Sequence, residues 1–213
     1  MREFDALHAY PRAGVKREAR RTVLNQLAAM DRGQGFFDGD RVNGYGGLIN
    51  DGRWDAVAKS LATEYQLGPQ SRVIQVEAEL GYLVQAFHQL NIRAWGTETS
   101  PYAREHAVVP DLIAESPVEL YHDHFDLVLA IGVVYTLNLR EAVECLRRLQ
   151  NVARRAFITL AAYETEEDFW LMRRWSLLGC LLYKPGEWRE IMEYAGYDGD
   201  YVFVTARTLG LVA

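Results

Sequence analysis

Carboxylates gather where two short strands would end. Glu77 and Glu79 follow RVIQV (Arg72–Val76), and Glu98 closes RAWGTE (Arg93–Glu98). Acids at such places can favour a cationic ligand, whereas the bland reading of Glu98 is a surface carboxylate. A second group lies in DGDRVNGYGGLINDGRW, where Asp38, Asp40, Arg41, Tyr45, Arg53 and Trp54 are interleaved with glycines. Tyr45 and Trp54 could simply pin the loop to the domain. His122, Asp123 and His124 are metal-ligating types, but no further cluster accompanies them, and a solvated turn explains them. Glu164, Glu166, Glu167 and Asp168 open a helix, where acids complement the helix dipole, so no general acid–base pair follows. Cys145 and Cys180 lie far apart without ligand spacing and read as buried free thiols rather than a zinc site.

The elements that must position these groups can be read from pattern. An amphipathic stretch around Val15–Met30 reads as one helix. Gly33–Gly52 is turn chemistry mixed with aromatics, an ordered loop packed over something rather than a linker. A helix over Arg53–Tyr65 is stopped by Gly68-Pro69. From Arg72 the pattern alternates: strand Arg72–Val76, helix Gly81–Leu90, strand Arg93–Glu98, helix Pro101–Ala107, a short strand at Leu112–Ile113, and the buried run Phe125–Ile131. Helix Arg140–Gln150, strand Ala156–Ala161, helices Glu166–Leu178 and Gly186–Ala195, and strand Tyr201–Ala206 follow. Alternation of this kind predicts an α/β fold, a Rossmann-like, mostly parallel sheet flanked by helices. Ligands of such sheets sit outside the carboxyl ends of the strands, here framed by Val76 and Glu98. The organisation predicted is an N-terminal helix, lid-like loop and helix over residues 1–66, and a Rossmann-like domain over 67–213, forming one compact unit. Trp170, Trp175 and Trp188 fall in two C-terminal helices and read as core or as a dimer surface.

Composition narrows the function classes. The 213 residues carry a net charge of −6, which argues against a domain-wide nucleic-acid footprint. The basic run Lys16, Arg17, Arg20 and Arg21 reads as a solvated helix face. No apolar run reaches membrane-spanning length and no secretory signal is visible, so a cytoplasmic location without membrane contact is expected.

Four motifs in register carry a resemblance. They are DGDRxxGYGGxxxDGRW (Asp38–Trp54), GTETSPYAREHA (Gly96–Ala107), HFDLVLAIGVVYTL (His124–Leu137) and GYDGDYVF (Gly196–Phe203). Over about residues 30–205 the chain resembles class I SAM-dependent methyltransferases, in particular a bacterial subgroup with the DGDR…GYGG…DGRW signature. The resemblance implies a cofactor site at Glu77, Glu79, Gly81, Glu98 and Ile131, with Glu98 where an acid binds ribose hydroxyls. It also implies substrate contacts at Tyr45, Arg53, Trp54 and Tyr135, and a C-terminal β-hairpin of which only one strand is legible.

The chain departs from that pattern at the cofactor loop. Where the family reads VLDVGCGxGxL, this sequence reads VIQVEAELGYL (Val73–Leu83). Gln75 replaces an acid, Glu77 and Glu79 replace glycines, and only Gly81 survives. Glycines there allow a tight turn and close approach of a ligand, and the methionyl carboxylate of SAM would now face two acids. At the end of the buried strand, Gly132, Tyr135 and Thr136 replace Asn, His and Asn. The expectation is a degenerate SAM site and a lost turn geometry. Three functions fit. The first is a non-catalytic partner of an active methyltransferase in small-molecule or sugar tailoring, with no cofactor and a paralogue or second copy as partner. The second is an active SAM-dependent methyltransferase with an atypical loop. The third is a cleft repurposed for another small molecule.

Overall fold

The computed structural model describes residues 1–7, 22–47, 50–115 and 125–211. His122, Asp123, His124 and the basic run at Lys16–Arg21 lie outside the described residues. Among the described residues, no group of three metal-ligating side chains gathers, and no helix is long and apolar enough to cross a membrane.

One sheet organises the chain. Its strands are β1 (Arg2–Glu3), β2 (Arg72–Val76), β3 (Arg93–Thr97), β4 (Ile113–Ala114), β5 (Leu127–Ala130), β6 (Ala156–Ala161) and β7 (Asp200–Val204). They lie in the order β1-β7-β6-β5-β2-β3-β4, and every pairing is parallel. β5 and β6 are buried along their whole length, which is why they read as continuous apolar runs. The helices are α1 (Val23–Met30), α2 (Gln34–Phe37), α3 (Arg53–Glu64), α4 (Tyr82–Gln89), α5 (Pro101–Glu105), α6 (Leu139–Val152), α7 (Glu166–Trp175), α8 (Pro185–Ala195) and α9 (Ala206–Leu209). One face of the sheet packs with α3 and α4 through Val57, Leu61, Leu83 and Phe87; the opposite core contains α6 and α8 through Leu146, Leu149, Trp188 and Met192.

Among the described residues one strand follows β6, matching the one legible in the sequence: α7 and α8 return the chain as a crossover and β7 adds parallel to β6. Several other expectations are corrected. The remaining edge is supplied by β1, whose two residues carry no legible strand pattern. Side-chain anchoring holds it: Arg2 bonds Asp200 through Nε and Nη2 at 3.2 and 2.7 Å, and Phe4 packs edge-on to Tyr65 and Phe157. Helix α1 starts at Val23, because Thr22 is extended and caps it in a reciprocal box with Asn25. Helix α7 ends at Trp175, where Ser176 turns extended. Cys145 is half-buried and Cys180 exposed, so neither is the buried thiol expected. Of the tryptophans, Trp188 is core and Trp170 is exposed, while Trp175 turns towards a cavity described below.

Candidate functional site

The loop between β2 and α4 keeps the turn that its sequence was expected to lose. Glu77 and Glu79 adopt φ of 52° and 53°, the left-handed region that favours glycine. A non-glycine residue there costs roughly 1–2 kcal/mol. The loop also packs tightly on β3. A Cβ on Gly96 would lie 2.5 Å from Cβ of Ala78 and 2.7 Å from Cδ1 of Ile113, so Gly96 makes this approach feasible. Gly81 caps α4 at φ 77°, with its N–H donating to the Ala78 carbonyl.

What holds the strained loop is Arg32, itself at φ 45°. Its Nη1 lies 2.6 Å from Oε2 of Glu77 and its Nη2 lies 3.0 Å from Oε2 of Glu98. Thr99 donates its hydroxyl to the same Glu77 oxygen at 2.9 Å. Tyr45 donates to Oε1 of Glu79 at 2.6 Å. Glu98 is wholly buried rather than a surface carboxylate. Its Oε1 accepts from the Ser100 amide at 2.7 Å, and its Oε2 accepts from the Glu79 amide at 2.8 Å as well as from Arg32. Both oxygens of Glu98 are therefore engaged by the protein. Burial pushes the Glu98 carboxyl up to about 7, with Arg32 pulling it down and Glu77 pushing it further up. Burial likewise raises Glu79, against the hydrogen bond from Tyr45 and the charge of Arg32. Burial opposes the charge on Arg32, but Glu98, Glu77 and Glu79 together outweigh it and hold the guanidinium charged.

The segment that delivers Arg32 and Tyr45 is built on aromatic packing. Ala29, Phe36 and Phe37 form a small core with Leu80 and Ala103, flanked by Tyr45, Tyr82 and Tyr102. Phe36 meets Tyr45 at 4.9 Å and Phe37 stacks on Tyr102 at 6.1 Å. Ser100 donates its hydroxyl to the Arg32 carbonyl, and Tyr102 donates to Asp38. The Gly-rich loop thus lies over the β2–α4 turn and the start of α5.

Beside this cluster opens a cavity of about 620 Å³ at the carboxyl end of the sheet. Glu77, Glu79, Ile131, Tyr45, Arg53, Trp54 and Tyr135 all line it. Gly81 and Glu98 do not. Arg53 is held by Asp51 through two contacts, at 2.7 and 2.5 Å, which pull the Asp51 carboxyl below its usual range. Arg32 is the residue that sequence reasoning missed: one arginine after a helix carries no signal of its own. The signal available was the excess of acids at adjoining strand ends, which need a cation if buried.

No protein-family model matches the chain, and no curated protein matches it. Solved structures do. Magnesium protoporphyrin IX methyltransferase (ChlM) from Synechocystis, with bound SAH, superposes with a TM-score of 0.53 at 17% identity, over 70% of this chain and 78% of that one. A putative methyltransferase from Bacillus halodurans gives 0.53 at 12% identity, over 65% and 68%. The YcgJ protein from Bacillus subtilis gives 0.51 at 15% identity over 65% of this chain, which spans 66% of that one, just under two thirds. The fold is that of the SAM-dependent methyltransferases. At such identities the likeness speaks to architecture, and function has to be argued from the site.

Proposed function

We propose that this chain has given up conventional SAM binding and serves as a non-catalytic partner of an active methyltransferase, in small-molecule or sugar tailoring. The observation that carries the reading is the Arg32 bridge to Glu77 and Glu98, which engages the chain's own acid at the ribose position. The Glu79 and Ser100 amides add one bond to each oxygen of Glu98. The methionyl carboxylate of SAM would also meet Glu77 and Glu79. One like-charge contact near 4 Å costs about 1 kcal/mol in water and about 4 kcal/mol at an effective dielectric near 20. Micromolar affinity amounts to only about 8 kcal/mol, so such contacts move binding towards millimolar.

Isothermal titration of SAM and S-adenosylhomocysteine into the purified protein tests this. No saturable heat at millimolar ligand is the expected outcome. Micromolar binding would overturn the reading in favour of an active methyltransferase with an atypical loop. The partner role predicts a stable complex with a methyltransferase paralogue, seen by light scattering, and a changed turnover of that enzyme. A chain that stays alone and changes nothing refutes it. A repurposed cleft is the second reading, favoured by the cavity of about 620 Å³ that persists beside the filled acid cluster.

A further inference from the structure

The cavity at the carboxyl end of the sheet carries more acid than base. Arg32 is the cation of its inner wall, and it is shared: Nη1 meets Glu77 at 2.6 Å and Nη2 meets Glu98 at 3.0 Å. Glu79, the third carboxylate of the group, bonds the uncharged hydroxyl of Tyr45 and forms no ion pair among the described residues. One guanidinium thus stands against three carboxylates. Even with Glu98 protonated, Arg32 balances Glu77 and the charge of Glu79 is left over. The other charges of the lining do not correct this. Arg53 is held by Asp51, and the exposed Arg41 and Asp5 at the rim carry one charge of each sign.

Both loop glutamates line the cavity and are half-buried. Each gives one oxygen to the protein. Oε2 of Glu77 accepts from Arg32 and Thr99, and Oε1 of Glu79 accepts from Tyr45. Oε1 of Glu77 and Oε2 of Glu79 accept no hydrogen bond among the described residues. Neither is sealed from solvent, since the side-chain atoms shut away without a partner there are Nε of Arg32 and Oε1 of Gln75.

The walls are a separate observation. Tyr45, Trp54, Tyr135 and Trp175 come from four different segments to line the same space, together with Leu83 and Ile131. A volume of about 620 Å³ falls in the range of small-molecule sites. Aromatic faces attract cations through the ring quadrupole, more strongly where water is excluded. Among the described residues no group of three metal-ligating side chains gathers, so the space suits an organic cation better than a metal ion.

We propose that this cavity binds an organic ammonium ion with a flat apolar body, its nitrogen donating to the open oxygen of Glu79 and its body lying against the aromatic walls. The proposal gives the repurposed-cleft reading its ligand class and rests on SAM no longer occupying the cleft. An anion would add to the surplus of acid, and a neutral molecule would leave Glu79 without a counter-charge.

The probe is tryptamine, an indole that carries an ammonium on a two-carbon arm. Its controls keep the body and change the charge: 3-ethylindole is neutral and indole-3-propionate is negative. Binding to the full chain at pH 8 is measured by isothermal titration and located by the indole N–H signals of Trp54 and Trp175 in ¹H–¹⁵N spectra. Tryptamine is expected to bind saturably and to move both signals. 3-Ethylindole is expected to bind about tenfold more weakly, the worth of one hydrogen bond to a charged group, and indole-3-propionate more weakly still. Glu79→Gln keeps an acceptor for Tyr45 and removes the charge, so the advantage of tryptamine should vanish while 3-ethylindole binds as before, which also shows that the variant is folded. Absence of saturable tryptamine binding at millimolar ligand, or equal affinity for tryptamine and 3-ethylindole, overturns the proposal. So does an advantage of tryptamine that Glu79→Gln leaves undiminished. SAM and S-adenosylhomocysteine are titrated separately into the free protein. Micromolar binding of either refutes the loss of conventional SAM binding, while the charge series decides the proposal on its own terms.

Discussion

Arg32→Leu is the most informative perturbation of the acid cluster. The substitution keeps an unbranched Cβ at the same left-handed position, so backbone strain is nearly unchanged and the guanidinium is what is removed. In the folded protein burial raises the Glu98 carboxyl from 4.5 to about 7. The folded state therefore holds its proton in a window where the unfolded chain has released it. The stability linked to this group is fully present below pH 4.5 and is lost as pH rises through 7, by up to about 3 kcal/mol at 1.36 kcal/mol per unit. Burial of Glu79 acts with the same sign. Removing Arg32 strips the Glu98 carboxylate of a cation at 3.0 Å. Breaking a buried pair costs roughly 3–5 kcal/mol when the surviving charge cannot neutralise. At pH 8 Glu98 is ionised, and the expected loss is about 3 kcal/mol. At pH 5 it is protonated, and the expected loss falls to about 2 kcal/mol, the lost hydrogen bonds to Glu98 and Glu77. Urea denaturation followed by tryptophan fluorescence at both pH values reads the difference. Glu98→Gln supplies the control, since Arg32→Leu in that background should cost nearly the same at either pH. Equal losses at pH 5 and pH 8 in the parent background would refute the account of the cluster.

Two further substitutions test the loop itself. Glu79→Gly should leave the protein about 1 kcal/mol more stable than Glu79→Ala, because both lose the carboxylate but only glycine relieves the left-handed strain; equal midpoints in urea would show that φ 53° is not strained there. Gly96→Ala should cost about 1–3 kcal/mol through overpacking against Ala78 and Ile113, seen as a lower denaturation midpoint. An unchanged midpoint would mean that the β2–α4 loop can move away freely.

Much of the fold was legible because its strands and helices announce themselves by period. β6 was delimited to the residue, since Ala156–Ala161 is a short apolar run between an amphipathic helix and an acidic helix start. β1 was not legible: two exposed residues have no period, and their pairing depends on Asp200, far along the chain. The candidate site divides the same way. Glu77, Glu79 and Glu98 stood out by type and by place at strand ends, and they do converge. Their meaning did not, because it is set by Arg32, which arrives from another element through packing of Phe36 and Phe37. The turn was misjudged for a related reason. Propensity alone rejects glutamate at positive φ, but side-chain bonds from Arg32, Thr99 and Tyr45 offset the strain.

The strand at the sheet's edge bears on how the molecule is made. Arg2 meets Asp200 across 198 positions of sequence, so β1 cannot dock until β7 has been made. Until β1 docks, the outer edge of β7 offers unpaired backbone groups beside Tyr201 and Phe203. The interval between formation of β7 and docking of β1 is thus one in which the open sheet can pair with another copy, and closure by Arg2 and Phe4 competes directly with aggregation.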